Sequence, residues 1–152
     1  MKLNLGAGKL HFKGFKNVDY PEIDLRKPLQ FEDLFSEEIR LIHVLEHLRW
    51  DHAVKLVGEC FRVLAPRGRL IVECPDIVKC YKVAASLDEL NSYIYGDPRN
   101  STNGNELEYH RWGWTSKALM DLFYLFPFSA IKSLPAEYHG RPDRDILIEG
   151  IK

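Results

Sequence analysis

Cysteine is scarce in this chain. Cys60, Cys74 and Cys80 are the only three among 152 residues, and no two form a CxxC pair. An odd count without that spacing argues against a disulfide framework and a cysteine-type zinc site. A reducing compartment, the cytoplasm, is the expected location. Long apolar runs are also missing. The most apolar stretch, Leu122 to Ile131, is broken by Pro127 and falls short of the roughly 20 residues that span a bilayer, so no membrane partner is expected. Neither sign of charge dominates: 21 Lys and Arg face 22 Asp and Glu, for a formal charge of -1. That balance removes the electrostatic reason to expect nucleic acid. The opening MKLNLGAGKL places glycines where a secretory leader needs an apolar core, which discounts the sequon Asn100-Ser101-Thr102. No repeat, low-complexity tract or linker appears, and 17.7 kDa is the mass of one domain, residues 1–152.

Apolar segments and turn residues alternate along the chain. Leu3 to Leu5 reads as a buried strand running into glycines. Lys16 to Tyr20 is a second strand closed by Pro21, and Ile23-Asp24-Leu25 a very short third. One or two helical turns are expected within Phe31 to Glu38, then a fourth strand from Ile39 to Val44. Ala53, Val54, Leu56, Val57, Cys60, Phe61 and Leu64 recur at helical spacing, so Asp51 to Leu64 is a helix with Asp51 as cap and Pro66 and Gly68 as stop. Arg69 to Cys74 is a fifth strand. Ser86 and Glu89 form a capping box before Leu87, Leu90, Tyr93 and Ile94, Gly96 to Asn105 is turn-like, and Thr115 caps a helix reaching about Leu125. Phe128 to Leu134 and Asp145 to Ile151 are two late strands with no helix between them. The expected fold is α/β: a Rossmann-like three-layer sandwich whose mostly parallel sheet ends in an antiparallel C-terminal edge hairpin.

Open parallel sheets bind ligands beyond the carboxyl ends of their strands. The first strand ends there in Gly6-Ala7-Gly8, where missing side chains let backbone N–H groups approach a ligand. A P-loop would need glycine at Leu3 and a hydroxyl at Leu10, and the dinucleotide fingerprint would need glycine at His11. Lys9 to Lys16 is also too short for an ordinary crossover helix. Asp19, at the end of the second strand, can accept two hydrogen bonds from a ribose diol. Asp24, near the end of the third, can meet an adenine edge. Each aspartate alone reads as a turn or cap residue; the ordered set favours a nucleotide.

Leu-Asn-Leu-Gly-Ala-Gly at 3–8, Asn-Val-Asp at 17–19, Asp24-Leu25, His-Val-Leu-Glu-His-Leu at 43–48, Arg-Val-Leu-Ala-Pro-Arg-Gly-Arg-Leu at 62–70 and Cys-Pro-Asp at 74–76 occur in this order. Together they resemble class I S-adenosylmethionine-dependent methyltransferases, and more closely the small proteins grouped as methyltransferase type 11. The resemblance implies S-adenosylmethionine as cofactor and S-adenosylhomocysteine as product. It also implies that Gly6 and Gly8 pass under the methionine part and that Asp19 holds the ribose, with Asn4, Ala7 and Tyr20 also among the cofactor-binding residues. Asp24 and Leu25 then border the adenine, and His43, Leu45 and Glu46 lie near the sulfonium. Asn4 stands where the family carries an acidic residue, and Arg67 where it carries a glycine.

The acceptor is not legible beyond a small molecule or a glycan, with transfer to oxygen favoured. A hydroxyl acceptor needs a base, for which His47, His110 and Asp76 are the candidates, with His43 behind them. Arg111 and Trp112, within the polar aromatic stretch 108–114, are the candidate substrate contacts; an aromatic plug over the sheet is the plainer alternative. His43-Val-Leu-Glu46-His47 also spells HxxEH, the zinc-hydrolase signature when helical. Here it follows a strand, so no metal is expected. A non-catalytic binding module on a cofactor fold is the other alternative, and association of like chains is compatible with the sequence.

Overall fold

A computed structural model describes residues 1–97 and 106–152. Six strands, β1 (Lys2–Leu5), β2 (Lys16–Val18), β3 (Ser36–Ile42), β4 (Leu64–Pro75), β5 (Ala130–Leu134) and β6 (Asp145–Ile151), form one sheet in the order β2-β1-β3-β4-β6-β5. The first four run parallel, and β6 is antiparallel to both neighbours. The helices are α1 (Trp50–Val63), α2 (Ile77–Val83), α3 (Leu87–Tyr95) and α4 (Ser116–Tyr124). Parallel α/β architecture and the edge hairpin are therefore as expected. Among the described residues no helix is long and apolar enough to cross a membrane.

Strand alternation divides the core. Leu3, Leu5, Ile39, Leu41, Leu70, Val72, Ile146 and Ile148 face α1 and α4, which contribute Leu56, Val57, Cys60, Leu119, Leu122 and Phe123. The opposite residues Ile42, Ile71 and Leu147 meet only Ala136 and the partly buried Leu10, Phe12 and Tyr138 from loops. Because the link from β1 to β2 carries no helix, loops and a cation cover that face instead. The Arg40 guanidinium lies 4.4 Å from the ring centres of Phe12 and Phe15 and 4.7 Å from that of Tyr138.

Several local expectations change. Ile23–Leu25 is not a strand, because the chain turns on Asp24: Arg26 N–H donates to its carboxylate at 3.0 Å and Lys27 N–H to its carbonyl at 3.0 Å. β2 is thus the sheet edge. Phe31 to Glu38 holds no helical turn. Arg62 of α1 takes the carbonyls of Leu29 and Phe31 and the carboxylate of Asp33, so this segment lies clipped as a loop until β3 begins at Ser36. Asp51 sits inside the first turn of α1 and Arg49 holds the cap position. α1 passes directly into β4 at Leu64, which starts the strand earlier than Arg69. α2 is unanticipated. The caps of α3 by Ser86 and of α4 by Thr115 are as read. Most of the turn-like stretch from Gly96 to Asn105, with the Asn100 sequon, lies outside the described residues.

Glu38 is buried on the loop-covered face, ringed by Arg40 at 2.7 Å, Arg69 at 2.9 Å and Lys2 at 3.3 Å. Burial opposes its charge, but Arg69 and Arg40 outweigh burial and lower its pKa. A lowered carboxylate stabilises the fold above its ordinary value of 4.5 and loses that contribution as pH falls through the folded value. Glu38→Gln should cost roughly 2–3 kcal/mol at neutral pH in denaturant unfolding. The difference from the unsubstituted protein should shrink steadily below pH 4.5; a pH-independent difference would mean that packing, not charge, is lost.

Candidate functional site

The carboxyl ends of β1, β2 and β3 open into one cleft of about 490 Å³. Its floor begins with the glycine loop. Gly6 N–H and Ala7 N–H both donate to the Val18 carbonyl, at 2.9 and 3.1 Å, and bind the loop to the end of β2. Gly6 has φ of +69°, and a Cβ there would stand 2.6 Å from Val44 Cγ2. Glycine is required because the chain after β3 packs directly on it. Gly8, with φ of +47°, has open space where a Cβ would go, and its N–H donates to Asp19 Oδ2 at 3.0 Å. Asp19 is exposed and lines the cleft with Gly6 and Gly8. One carboxylate oxygen holds the loop; the other meets no donor among the described residues.

The opposite wall comes from Tyr20, Ile23, Asp24, Leu25 and Arg26. The Asp24 carboxylate is gripped by Arg26 at 2.8 and 2.9 Å, a hydrogen-bonded pair that holds its pKa down to about 2. It lines the cleft already engaged, so Ile23 and Leu25 supply the free, apolar part of that wall.

β3 ends at Ile42, and His43 turns with φ of +54°, its N–H donating to the Glu73 carbonyl at 2.7 Å. Its ring is held from both sides: Nδ1 lies 3.0 Å from Glu46 Oε1 and Nε2 3.1 Å from Asp145 Oδ2. Burial opposes the imidazolium, but Glu46 and Asp145 outweigh burial and raise its pKa to about 9. His43 is therefore a buried cation at neutral pH and not a free base. Asp145 answers it: burial is outweighed by His43 and Arg144, and its pKa falls to about 2. His139 packs on the His43 ring at 4.0 Å between centres. It is delivered by a loop whose backbone N–H groups at Glu137, Tyr138 and His139 all donate to the buried Glu73 carboxylate at 2.7–2.9 Å.

Leu45, Glu46 and His47 form a single 3-10 turn. His43 and His47 thus share no helix face, and the zinc-hydrolase geometry is not formed. Leu45 is core; Glu46 is buried beneath the cleft, and His47 lines it. The Glu46 carbonyl accepts from Arg111 N–H at 2.6 Å and Trp112 N–H at 3.2 Å, which pins residues 110–112 over the turn. His110 sits edge-on to His47 at 4.9 Å. Arg111 and Arg49 line both the cleft and an adjoining depression of about 530 Å³ with Trp50, Asp51 and Trp112.

The other sequence candidates lie elsewhere. Asn4 is buried and donates to the Leu10 carbonyl and Asn17 Oδ1, bracing the short loop. Ala7 is buried below the cleft floor. Asp76 caps α2, accepting from Val78 and Lys79 N–H through one oxygen and from Ser116 N–H and Oγ–H through the other. It is fully engaged and outside the cleft lining. Sequence reading missed Asp145, Arg144 and His139. The available signal was position: the first residue of an antiparallel strand stands beside the carboxyl end of its parallel neighbour.

No protein-family model matches the sequence, and no curated protein matches it. Solved structures do. A SAM-dependent methyltransferase from Archaeoglobus fulgidus superposes with a TM-score of 0.66, at 14% identity over 99% of this chain and 85% of its own. An S-adenosylmethionine-dependent methyltransferase from Mesorhizobium loti gives 0.61, at 11% identity over 99% of this chain and 90% of its own. An O-methyltransferase family protein from Burkholderia thailandensis gives 0.55, at 11% identity over 91% of this chain and 36% of its own. The fold is that of the class I S-adenosylmethionine-dependent methyltransferases.

The two glycines should respond differently to substitution. Gly6→Ala meets both the left-handed backbone and Val44 and should cost roughly 2–3 kcal/mol; Gly8→Ala meets only the backbone penalty, about 1 kcal/mol. Urea unfolding of both variants checks this, and equal losses would mean that Val44 yields freely.

Proposed function

We propose that this chain is an S-adenosylmethionine-dependent methyltransferase acting on a hydroxyl of a small-molecule or glycan acceptor. The observation that carries this reading is the Asp19 carboxylate, fixed by one oxygen to Gly8 N–H and open to the cleft through the other. A nucleoside sugar needs such an acceptor, and the cleft is within the usual size of small-ligand sites. The open space above Gly8 leaves backbone exposed for the amino-acid end of the cofactor, and Ile23 and Leu25 offer an apolar wall for the base.

S-adenosylmethionine, when bound, supplies a methyl group on a positively charged sulfur. The chain's own contribution is mainly alignment, which can be worth roughly 7–11 kcal/mol. Val44 and Gly6 hold the ends of β3 and β1 together, so the two halves of the floor keep one spacing. Of the predicted bases His43 and His47 line the cleft, and His43 is held as a cation, which leaves His47. His110 stands behind it; burial lowers its pKa and keeps it neutral. Arg111 and Trp112 border the adjoining depression and offer a cation and an aromatic face to an acceptor.

Calorimetric titration with S-adenosylhomocysteine tests the reading. The unsubstituted protein should bind one equivalent, and Asp19→Ala should weaken binding at least tenfold, the loss of a charge-assisted hydrogen-bond pair. Its melting temperature should fall only slightly, because Asp19 is exposed and loses one hydrogen bond, that from Gly8 N–H. No binding by the unsubstituted protein overturns the assignment; equal binding by the variant removes Asp19 from the site.

A further inference from the structure

Two sets of side chains place nitrogen and oxygen donors within 4.8 Å of one another: Glu46, His47 and His110, and His43, His139 and Asp145. The second set is already spent. Asp145 takes Arg144 at 2.6 and 3.0 Å and His43 at 3.1 Å, and His139 Nδ1 stands 3.1 Å from Arg144 Nη2. A metal ion there would have to displace a guanidinium.

The first set is not spent. Glu46 is 2% exposed, yet neither carboxylate oxygen has a hydrogen-bond partner. Oε1 has only the ion contact with His43 at 3.0 Å, without hydrogen-bond alignment. Buried carboxylates are normally satisfied. Glu46 is nonetheless held ionised: burial opposes its charge, but His43 outweighs burial and brings its pKa to about 2. His47 Nδ1 is likewise buried without a partner. His110 Nδ1 lies 3.0 Å from the Tyr93 carbonyl, an acceptor only, so Nδ1 carries the proton and Nε2 keeps its lone pair. That second contact is what orients a metal-binding imidazole.

We infer that Glu46, His47 and His110 bind a divalent cation at the floor of the cleft. Two nitrogens and one carboxylate oxygen suit zinc or a neighbouring transition ion, and three protein ligands leave further positions on the cleft side. Ligand atoms around a tetrahedral ion stand about 3.3–3.4 Å apart, so donors within 4.8 Å close by up to about 1.4 Å through side-chain rotation when the ion binds. The role follows from the methyltransferase reading and rests on it. A hydroxyl coordinated there loses its proton to solvent water at lower pH than a free alcohol, and the oxygen retains the electron pair.

The test is titration of chelator-treated full-length protein with Zn²⁺ by calorimetry, and with Co²⁺ by visible absorption. One equivalent should bind. Glu46→Gln, which keeps the side-chain shape, and His110→Ala should each weaken binding at least tenfold, while His139→Ala should not. The His110 variant decides the matter should Glu46→Gln melt early. Absent binding, binding that survives both substitutions, or binding lost only in His139→Ala overturns the inference. S-adenosylhomocysteine affinity, measured in parallel without metal, separates the outcomes. Cofactor binding without Zn²⁺ binding removes only the cation; Zn²⁺ binding without cofactor binding removes only its methyl-transfer role.

Discussion

Four buried carboxylates stand at or just beyond the ligand edge of the sheet, and the rest of the site depends on how each is satisfied. Glu73 collects three backbone N–H groups from the loop between β5 and β6 and so fixes His139. Asp76 caps α2 with one oxygen and holds Ser116, the first residue of α4, with the other. Asp145 joins Arg144 to His43. An ionised group taken out of water is tolerated only with such partners. Each carboxylate therefore positions a segment remote in sequence, and together they assemble the cleft. Glu46 is the exception, with a cationic neighbour but no aligned donor.

The short link between β1 and β2 has two consequences. Lacking a helix, it leaves one sheet face to Phe12, Phe15 and Tyr138 around Arg40, a cover that works because a guanidinium can lie against several aromatic faces at once. It also brings Gly8 close enough to Asp19 for a direct hydrogen bond. The Asp19 carboxylate is thereby preset by the loop itself. Asn4 and Asn17 brace the same link from inside, through the carbonyl of Leu10 and the backbone of Phe12. Asn4 contributes rigidity rather than charge.

Much of this was legible from residues alone, and the reasons are local. Helical spacing in α1, the hydroxyl caps of α3 and α4, and the apolar parallel strands carry their signals within a few positions. The glycine loop and Asp19 come together on one cleft because both follow the carboxyl ends of neighbouring parallel strands. What failed depended on local turns that override composition or on distant partners. Ile23–Leu25 has strand composition, but its hydrogen bonds go to an Asp24 turn. Phe31 to Glu38 has helical composition, but Arg62, some thirty residues on, takes its carbonyls. α2 was missed because Ile77, Val78 and Val83 are β-branched and weaken the helical signal; its one cue was Asp76, and a cap and a base look alike in sequence.

His43-x-x-Glu46-His47 shows the limit most sharply. In sequence the three residues form one motif, and a helix would send both histidines to one ion. The backbone instead leaves β3 through a left-handed residue at His43 and tightens into one 3-10 turn. That single reversal splits the motif. His43 is turned to Asp145, where it is held as a cation and is lost as a ligand or base. Glu46 keeps its ion contact with His43 but stands with His47 beside His110, a residue that no spacing rule connects to them. The protonated His43 then acts on the second group from behind: it keeps Glu46 ionised without supplying an aligned hydrogen bond, and so leaves a charged carboxylate with unsatisfied acceptor oxygens.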